Sequence, residues 1–396
     1  MPQNPIGVAV IGAGMAGRAH CAGYRTAPTL FDPRLPPIAR VAVVDADEKV
    51  AADAADRYGF RWHATDWRRL LEAEDVHVVS VVVANSLHRE IVEALLDAGK
   101  HVLCEKPLAD SLEDAAAMAA AAAAHPELVA GTGFVYRRQP AVAAIAELVR
   151  SEFGDVSHFN GRYWCDYANS RLTPMAWRYR GRPGTGALAD IGSHLIDLAE
   201  FVCGPMTAVG GAAFTTMIDE RFVAKGTTYG HAKAELTDRR EKVENDDAAT
   251  FTAHFASGAI GTFSVSRVAP GFANSMAFDV MAEKGGARWD MDRPAEFSVI
   301  RQQRGDGLDG YNQVLIGPDH PYLKGGVPMD FPGVSFGIGD LFAFQARAFL
   351  EQVAGIEGGL PAVAGFTDGL RDLTIVDAIS RSARSGGAVV ELPAPQ

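Results

Sequence analysis

Asp190 and His194 stand four residues apart in the run Gly186-Ala-Leu-Ala-Asp190-Ile-Gly-Ser-His194-Leu-Ile-Asp197, whose Ile191, Leu195 and Leu198 repeat with helical spacing. Residues four apart share a helix face, so a helix starting near Asp190 presents this carboxylate and imidazole side by side, with Asp197 one turn on. A histidine that titrates near neutrality beside an aspartate is a natural proton acceptor for an alcohol undergoing oxidation. Plainer readings stand next to that one: Asp190 as a helix N-cap, and His194 as a satisfied interior histidine. The same spacing can ligate zinc, but no cysteine or second histidine is near enough in sequence to complete a set, so no metal is expected. Lys106, between Glu105 and Pro107, is the third candidate. A lone lysine is usually a solvated charge; its address makes this one functional.

That address follows from the elements before it. Val8-Ala-Val-Ile11 reads as a buried strand, and Gly12-Ala13-Gly14-Met15-Ala16-Gly17 turns it into a helix running to Thr26. Gly12 permits the turn, Gly14 lets backbone N–H groups approach a pyrophosphate, and Gly17 lets helix close on strand. The alternative is a bare glycine-rich turn. A proline-bearing loop, Thr26 to Arg40 (Pro28, Pro33, Pro36, Pro37), precedes a second strand, Val41–Val44, that ends at Asp45. A carboxylate there accepts from both adenosine-ribose hydroxyls and repels a 2′-phosphate, which favours NAD over NADP; the alternative is a solvated turn aspartate. Strands at His77–Val83 and Lys100–Cys104 alternate with helices at Asp47–Tyr58, Arg89–Ala98 and the alanine-rich 115–124 stretch. Such alternation predicts a doubly wound parallel sheet with ligands outside the carboxyl ends of the strands, where Lys106 falls. After one more strand around Val129–Tyr136, apolar and polar residues alternate at Val156–Tyr163, Thr250–Phe255 and Ala259–Val265. This is the pattern of antiparallel strands with one covered face. The expected fold is α/β: an N-terminal Rossmann dinucleotide-binding domain (1–135) and a C-terminal α+β domain (136–396) on a large, mostly antiparallel open sheet.

The 396 residues suit two domains, and 48% hydrophobic with 22% charged residues is an ordinary globular composition. A net charge of −12 argues against nucleic acid or an anionic membrane as partner. Met-Pro-Gln-Asn-Pro lacks a basic leader, and no run reaches membrane-spanning length. Four cysteines without C-x-x-C spacing read as reduced, largely interior thiols of a cytoplasmic protein. Arg304 to Asp340, rich in glycine and proline, reads as a long loop region.

The glycine motif, Glu105-Lys106-Pro107 and Gly186-x-x-x-Asp190-x-x-x-His194, in this order, resemble the Gfo/Idh/MocA oxidoreductases, relatives of glucose–fructose oxidoreductase and inositol dehydrogenase. The proline-bearing loop, Tyr136-Arg137-Arg138-x-Pro140 and Gly317-Pro318-x-His320-Pro321-Tyr322 look like the levoglucosan dehydrogenase branch. The resemblance implies NAD as cofactor and oxidation of one ring hydroxyl, at C3, of a sugar, anhydrosugar, glycoside or cyclic polyol. It implies Lys106, Asp190 and His194 as the catalytic group, and a homodimer or homotetramer. It places Gly12, Ala13, Gly14, Met15, Ala16, Asp45, Ala84, Asn85, His88, Glu105 and Lys106 at the cofactor. Sugar binding wants flat rings and fixed polar groups, and Tyr136, Trp164, Asp166, Tyr167, Trp177 and Arg178 join Lys106, Asp190 and His194 as substrate candidates. Val83-Ala84 departs from the family's usual Thr-Pro before Asn85, and Val135 stands where that branch carries asparagine, a change at the pocket edge that bears on which sugar fits. Two other readings fit the same motifs: redox-neutral glycoside cleavage through a transient keto-sugar with retained NAD, and a non-catalytic cofactor-sensing regulator.

Overall fold

A computed structural model describes residues 4–31, 35–226, 234–301, 305 and 309–395. Met1–Gln3, Pro33 of the proline-bearing loop and Arg304 lie outside the described residues. The chain divides into two compact units, Met1–Pro140 with Gly317–Leu370, and Ala141–Ile316 with Arg371–Gln396.

In the first unit, β1 (Ile6–Ile11) is buried along its whole length, as its unbroken apolar run requires of a parallel strand covered on both faces. There follow α1 (Met15–Thr26), β2 (Ile38–Val44), α2 (Glu48–Tyr58), β3 (Trp62–Ala64), β4 (Val78–Val81), α3 (His88–Asp97), β5 (His101–Cys104), α4 (Leu112–Ala124) and β6 (Ala130–Thr132). Among the described residues these strands form one parallel sheet in the order β3-β2-β1-β4-β5-β6, the doubly wound order of a Rossmann domain. Asp47 caps α2 by accepting from the Lys49 and Val50 N–H groups, and Ser111 caps α4 by accepting from Asp114 N. Short β3 carries no signal of its own and becomes a strand through pairing with β2 at Ala42–Val44. Strand β6 stops at Thr132 rather than running to Tyr136, because the Phe134 and Val135 N–H groups close back on the Thr132 and Gly133 carbonyls.

The second unit opens with α5 (Pro140–Leu148) and β7 (Val156–Cys165). A wide, π-helical turn (Leu188–Gly192) then leads into α6 (Ser193–Cys203). Strands β8 (Met206–Thr215), β9 (Glu220–Ala224), β10 (Leu236–Lys242), β11 (Ala248–Phe255), β12 (Ile260–Ser266), β13 (Asn274–Ala282), β14 (Gly285–Asp290), β15 (Glu296–Arg301) and β16 (Asn312–Leu315) follow. With β17 (Val390–Glu391) they give a large sheet ordered β16-β15-β14-β13-β7-β12-β11-β8-β17, antiparallel except where β7 meets β12, while β9 and β10 pair separately. Burial alternates along β7, β11 and β12, so one face is covered. Helix α6 lies on that face: a Cβ on Gly161 of β7 would come within 2.9 Å of Leu195.

The expected single cut after residue 135 differs from this division, because 317–370 belongs to the first unit. There α7 (Ile338–Val353) packs on α1, close enough that a Cβ on Gly23 would sit 2.8 Å from the Phe342 carbonyl oxygen. Its Ala346, Phe349 and Leu350 share a core with Val8, Val10, Cys21 and Tyr24. Helix α8 (Phe366–Arg384) completes the chain's helices as described. All four cysteines are buried and unlinked, and burial pushes the Cys21 and Cys203 thiols up to about 12. Among the described residues no helix is long and apolar enough to cross a membrane.

Candidate active site

Parallel strands bring their carboxyl ends to one edge, and that edge of the first unit holds the glycine motif after β1, Asp45 after β2, Ala84 and Asn85 after β4, and Glu105 and Lys106 after β5. Gly12 turns with φ of +93°, and a Cβ there would meet the Val82 carbonyl oxygen at 2.0 Å. A Cβ on Gly17 would lie 1.9 Å from the Gly12 carbonyl oxygen, so helix and strand touch backbone to backbone. Gly14 is different: a Cβ would meet nothing within 4 Å. The first turn of α1, with exposed Met15 and half-buried Ala16, has neither a capping side chain nor an acidic residue. Its N–H groups and partial positive charge face open space, which suits a pyrophosphate. Asp45 Oδ2 accepts from Ala13 N at 2.7 Å and Oδ1 from Asp47 N at 3.0 Å. A carboxylate has about four acceptor positions, so two remain for a ribose diol. The cradle fits a dinucleotide without a 2′-phosphate.

Along the same edge, Ala84 leads into a tight turn over Asn85–Leu87. His88 was expected at the cofactor, yet it is wholly buried, with Nδ1 3.0 Å from the Leu108 carbonyl oxygen and Nε2 3.2 Å from that of Val83. Burial holds its pKa below the ordinary value, and the ring, one nitrogen against each carbonyl, lies between the loop after β4 and the loop after β5. Glu105 is also turned inward, its Oε1 2.9 Å from His20 Nε2. The Lys106–Pro107 bond is cis.

In the second unit Asp190 sits in the wide π-helical turn that opens α6, and His194 in the first turn of α6 proper. The expected regular helix from Asp190 is thus broken by a local wide turn, a feature often found at functional positions. Its cause is Asp246, 1% exposed, whose carboxylate accepts from Gly184 N (2.7 Å), Gly186 N (3.0 Å) and Leu188 N (2.9 Å). Only glycine fits at 186, where a Cβ would be 2.1 Å from the Asp246 carbonyl oxygen. Asp190 Oδ2 accepts from the Tyr167 hydroxyl at 2.6 Å. Burial first, and the Asp190 charge next, push that hydroxyl well above its ordinary pKa, so it remains a donor. Tyr163 of β7 faces His194, ring centroids 6.3 Å apart. Beneath lies a wholly buried pair, Arg267 Nε to Asp247 Oδ1 at 2.8 Å, with Arg267 also donating to Asn245 Oδ1 and the Arg178 carbonyl oxygen.

Residues 6–132 match the model of an oxidoreductase family with an NAD-binding Rossmann fold, and residues 142–288 match the Gfo/Idh/MocA C-terminal domain. The chain belongs to the Gfo/Idh/MocA oxidoreductases. Levoglucosan dehydrogenase of Pseudarthrobacter phenanthrenivorans (strain DSM 18606 / JCM 16027 / LMG 23796 / Sphe3) is 34% identical over 96% of each chain. A solved levoglucosan dehydrogenase in complex with NADH and levoglucosan superposes with a TM-score of 0.88 at 33% identity, over 98% of this chain and 100% of that one. An inositol dehydrogenase homologue from Azotobacter vinelandii, solved with NADH and myo-inositol, shares the fold (TM-score 0.78, 20% identity, 98% of each chain). As a Gfo/Idh/MocA protein the chain is an NAD-dependent oxidoreductase, and the matched NAD-binding fold, residues 6–132, contains the cradle above.

The remaining candidates of this Gfo/Idh/MocA chain divide. Tyr136 is buried in a tight turn over Val135–Arg138. Trp164 lies on the face of β7 opposite Tyr163, against Ser264 Oγ (3.0 Å), Arg162 and Phe272. Asp166 is half-buried just past β7, and Trp177 is 54% exposed with the Arg178 guanidinium over its ring. Arg178 adds its positive field to Tyr167. His20, Asp246, Asp247 and Arg267 were missed. An isolated histidine in a helix and an Asn-Asp-Asp triplet carry no motif, and only the network of partners marks them.

Proposed function

We propose that this oxidoreductase oxidises a ring hydroxyl, at C3, of a sugar, anhydrosugar, glycoside or cyclic polyol to a ketone, with His194 as general base and Lys106 and Asp190 completing the group. The observation that carries the reading is Asp190, anchored by Tyr167 and by the Asp246-held turn, one helical turn before His194. Similarity to levoglucosan dehydrogenase over nearly the whole of both chains supports a sugar substrate. NAD, held by the glycine turn, the α1 N-terminus and Asp45, supplies the hydride acceptor. His194 takes the hydroxyl proton. Lys106 places positive charge beside the oxygen as negative charge develops, and Asp190 accepts from a neighbouring hydroxyl. Ile260, Met281 and Leu315, exposed at separate points of the large sheet, support assembly into a homodimer or homotetramer.

The test is NADH formation by purified protein with NAD and a panel of levoglucosan, glucose, myo-inositol and O- and C-glycosides. Removing a general base typically costs about 10²–10⁴-fold, so His194→Ala abolishes most turnover, and Lys106→Ala lowers it strongly. NADH formation untouched by either change would sink the assignment. Retained NAD with release of an aglycone and no NADH would replace it by the redox-neutral reaction.

A further inference from the structure

Behind Glu105 and Lys106 runs a buried chain of polar side chains that the reaction above does not use. The Tyr24 hydroxyl lies 2.8 Å from Ser80 Oγ, Ser80 Oγ lies 3.0 Å from His20 Nδ1, and His20 Nε2 lies 2.9 Å from Glu105 Oε1. Tyr24 and Ser80 are wholly buried and His20 is 3% exposed, its ring edge-on to Phe342 of α7. Groups so placed must match donors with acceptors among themselves.

The matching has one solution. Burial pushes the Tyr24 hydroxyl well above its ordinary pKa, so it keeps its proton. Its acceptor among the described residues is Ser80 Oγ. The Ser80 hydroxyl then donates to His20 Nδ1, which must be the bare nitrogen of a neutral ring, and His20 Nε2–H donates to Glu105 Oε1. Reversing the first link strands the Tyr24 proton, reversing the second leaves the Ser80 proton without an acceptor among the described residues, and reversing the third leaves the His20 ring with no proton at all. The chain ends on a carboxylate that is confined on two further sides. Glu105 Oε2 accepts from Lys106 N at 3.3 Å, and a Cβ on Gly133 would sit 2.5 Å from Glu105 Oε1, so residue 133 leaves room for this rotamer by having none. The Glu105 backbone is held independently, its N–H donating to the Val81 carbonyl oxygen at 2.9 Å.

We propose that Tyr24, Ser80 and His20 are positioning residues, a one-directional donor chain that fixes the Glu105 carboxylate against the Lys106 N–H and so sets how Lys106 is presented at the end of β5. This rests on the reading of Lys106 given above. The members are not equivalent. Losing Tyr24 leaves Ser80 able to donate, whereas losing Ser80 removes what selects the His20 tautomer, and losing His20 removes the donor to Glu105 outright.

The experiment uses the NAD-loaded protein and its His20→Ala, His20→Gln, Ser80→Ala and Tyr24→Phe variants, with two readouts. One is kcat and KM on levoglucosan, or on whichever sugar of the panel is oxidised. The other needs no substrate: the rate at which acetic anhydride labels Lys106 in the NADH complex, followed by peptide mass spectrometry. Loss of a hydrogen bond to a charged group corresponds to about tenfold or more, so His20→Ala lowers kcat by that factor with KM for NAD nearly unchanged. It also changes Lys106 labelling severalfold. His20→Gln, which keeps a donor near the Nε2 position, restores both; Ser80→Ala is intermediate and Tyr24→Phe mild. Unchanged labelling and kcat in folded His20→Ala overturn the proposal, as does equal impairment of the alanine and glutamine variants. If His20→Ala fails to fold, Ser80→Ala, which deletes a single hydroxyl, decides by the same two readouts. If the wild type oxidises no sugar, the dehydrogenase reading fails, while the labelling still decides this one.

Discussion

One oxygen of Asp190 is already engaged before any substrate arrives. Tyr167 donates to Oδ2 at 2.6 Å, and because desolvation keeps that phenol protonated, the bond has a fixed direction. The carboxylate is thereby held in one orientation, which is what a residue that must find a single hydroxyl needs. Tyr167 thus reads as the support of Asp190 more than as a sugar-stacking ring. Tyr167→Phe removes only the donor, and a hydrogen bond to a charged acceptor contributes about 1.5–3 kcal/mol. The expected outcome is a drop of about tenfold in kcat/KM for the sugar that proves to be the substrate, with NADH affinity unchanged, measured by initial rates and by fluorescence titration. A variant as active as wild type would show that Asp190 needs no such support.

At the scale of elements, two glycines of one turn separate folding from binding. A Cβ on Gly17 collides with the Gly12 carbonyl oxygen, while a Cβ on Gly14 meets nothing of the protein. Gly17→Ala is expected to lower the thermal midpoint sharply. Gly14→Ala is expected to fold normally and to weaken NADH binding by about tenfold or more, since the methyl occupies the pyrophosphate's approach. Parallel loss of stability in both would contradict this division. The turn before α6 is held differently, by one buried carboxylate on three N–H groups. Asp246→Ala leaves those donors unsatisfied, at about 1–3 kcal/mol each before relaxation, so loss of about 3 kcal/mol or more in urea unfolding is expected. Asp246→Asn, which keeps one acceptor but sets an amide against the Leu188 N–H, should fall between. The strand–helix alternation and the glycine turn were legible because strands buried on both faces are written as unbroken apolar runs. Asp246 was not: its partners lie up to 62 residues away in sequence, and Asn245-Asp-Asp looks like any polar turn. The face carrying Trp164 was not legible either, since alternation gives the period of β7 but not which side α6 covers.

For the molecule as a whole, acid is where opposing effects can be ranked. The net charge of −12 relaxes as carboxylates protonate, which removes self-repulsion and works in favour of the folded state. Histidines desolvated by the fold, wholly or in part, work against it. His320, part of a sequence run noted only for its likeness to a family branch, proves to be a structural fastening: its Nδ1 accepts from Tyr322 N at 3.2 Å, and Arg138 reaches the Tyr322 hydroxyl and the Pro361 and Ala362 carbonyl oxygens. Burial lowers its pKa to about 4, against an unfolded value of about 6.5. Between those values the unfolded chain binds the extra proton, so this contribution is complete above about pH 6.5 and is lost as pH falls toward 4. His88 and His101, also lowered by burial, add in the same direction. A shift of this size corresponds to about 3 kcal/mol, most of it lost between pH 7.5 and 4.5, whereas diffuse repulsion among exposed charges is weakened by salt. Stability is therefore expected to fall from pH 7.5 to 4.5, and to fall by about 2 kcal/mol less in His320→Asn, which keeps an acceptor for Tyr322 but cannot take up a proton. Urea unfolding of both proteins at the two pH values measures the difference. Equal losses would assign the acid sensitivity to other groups and leave His320 a packing residue alone.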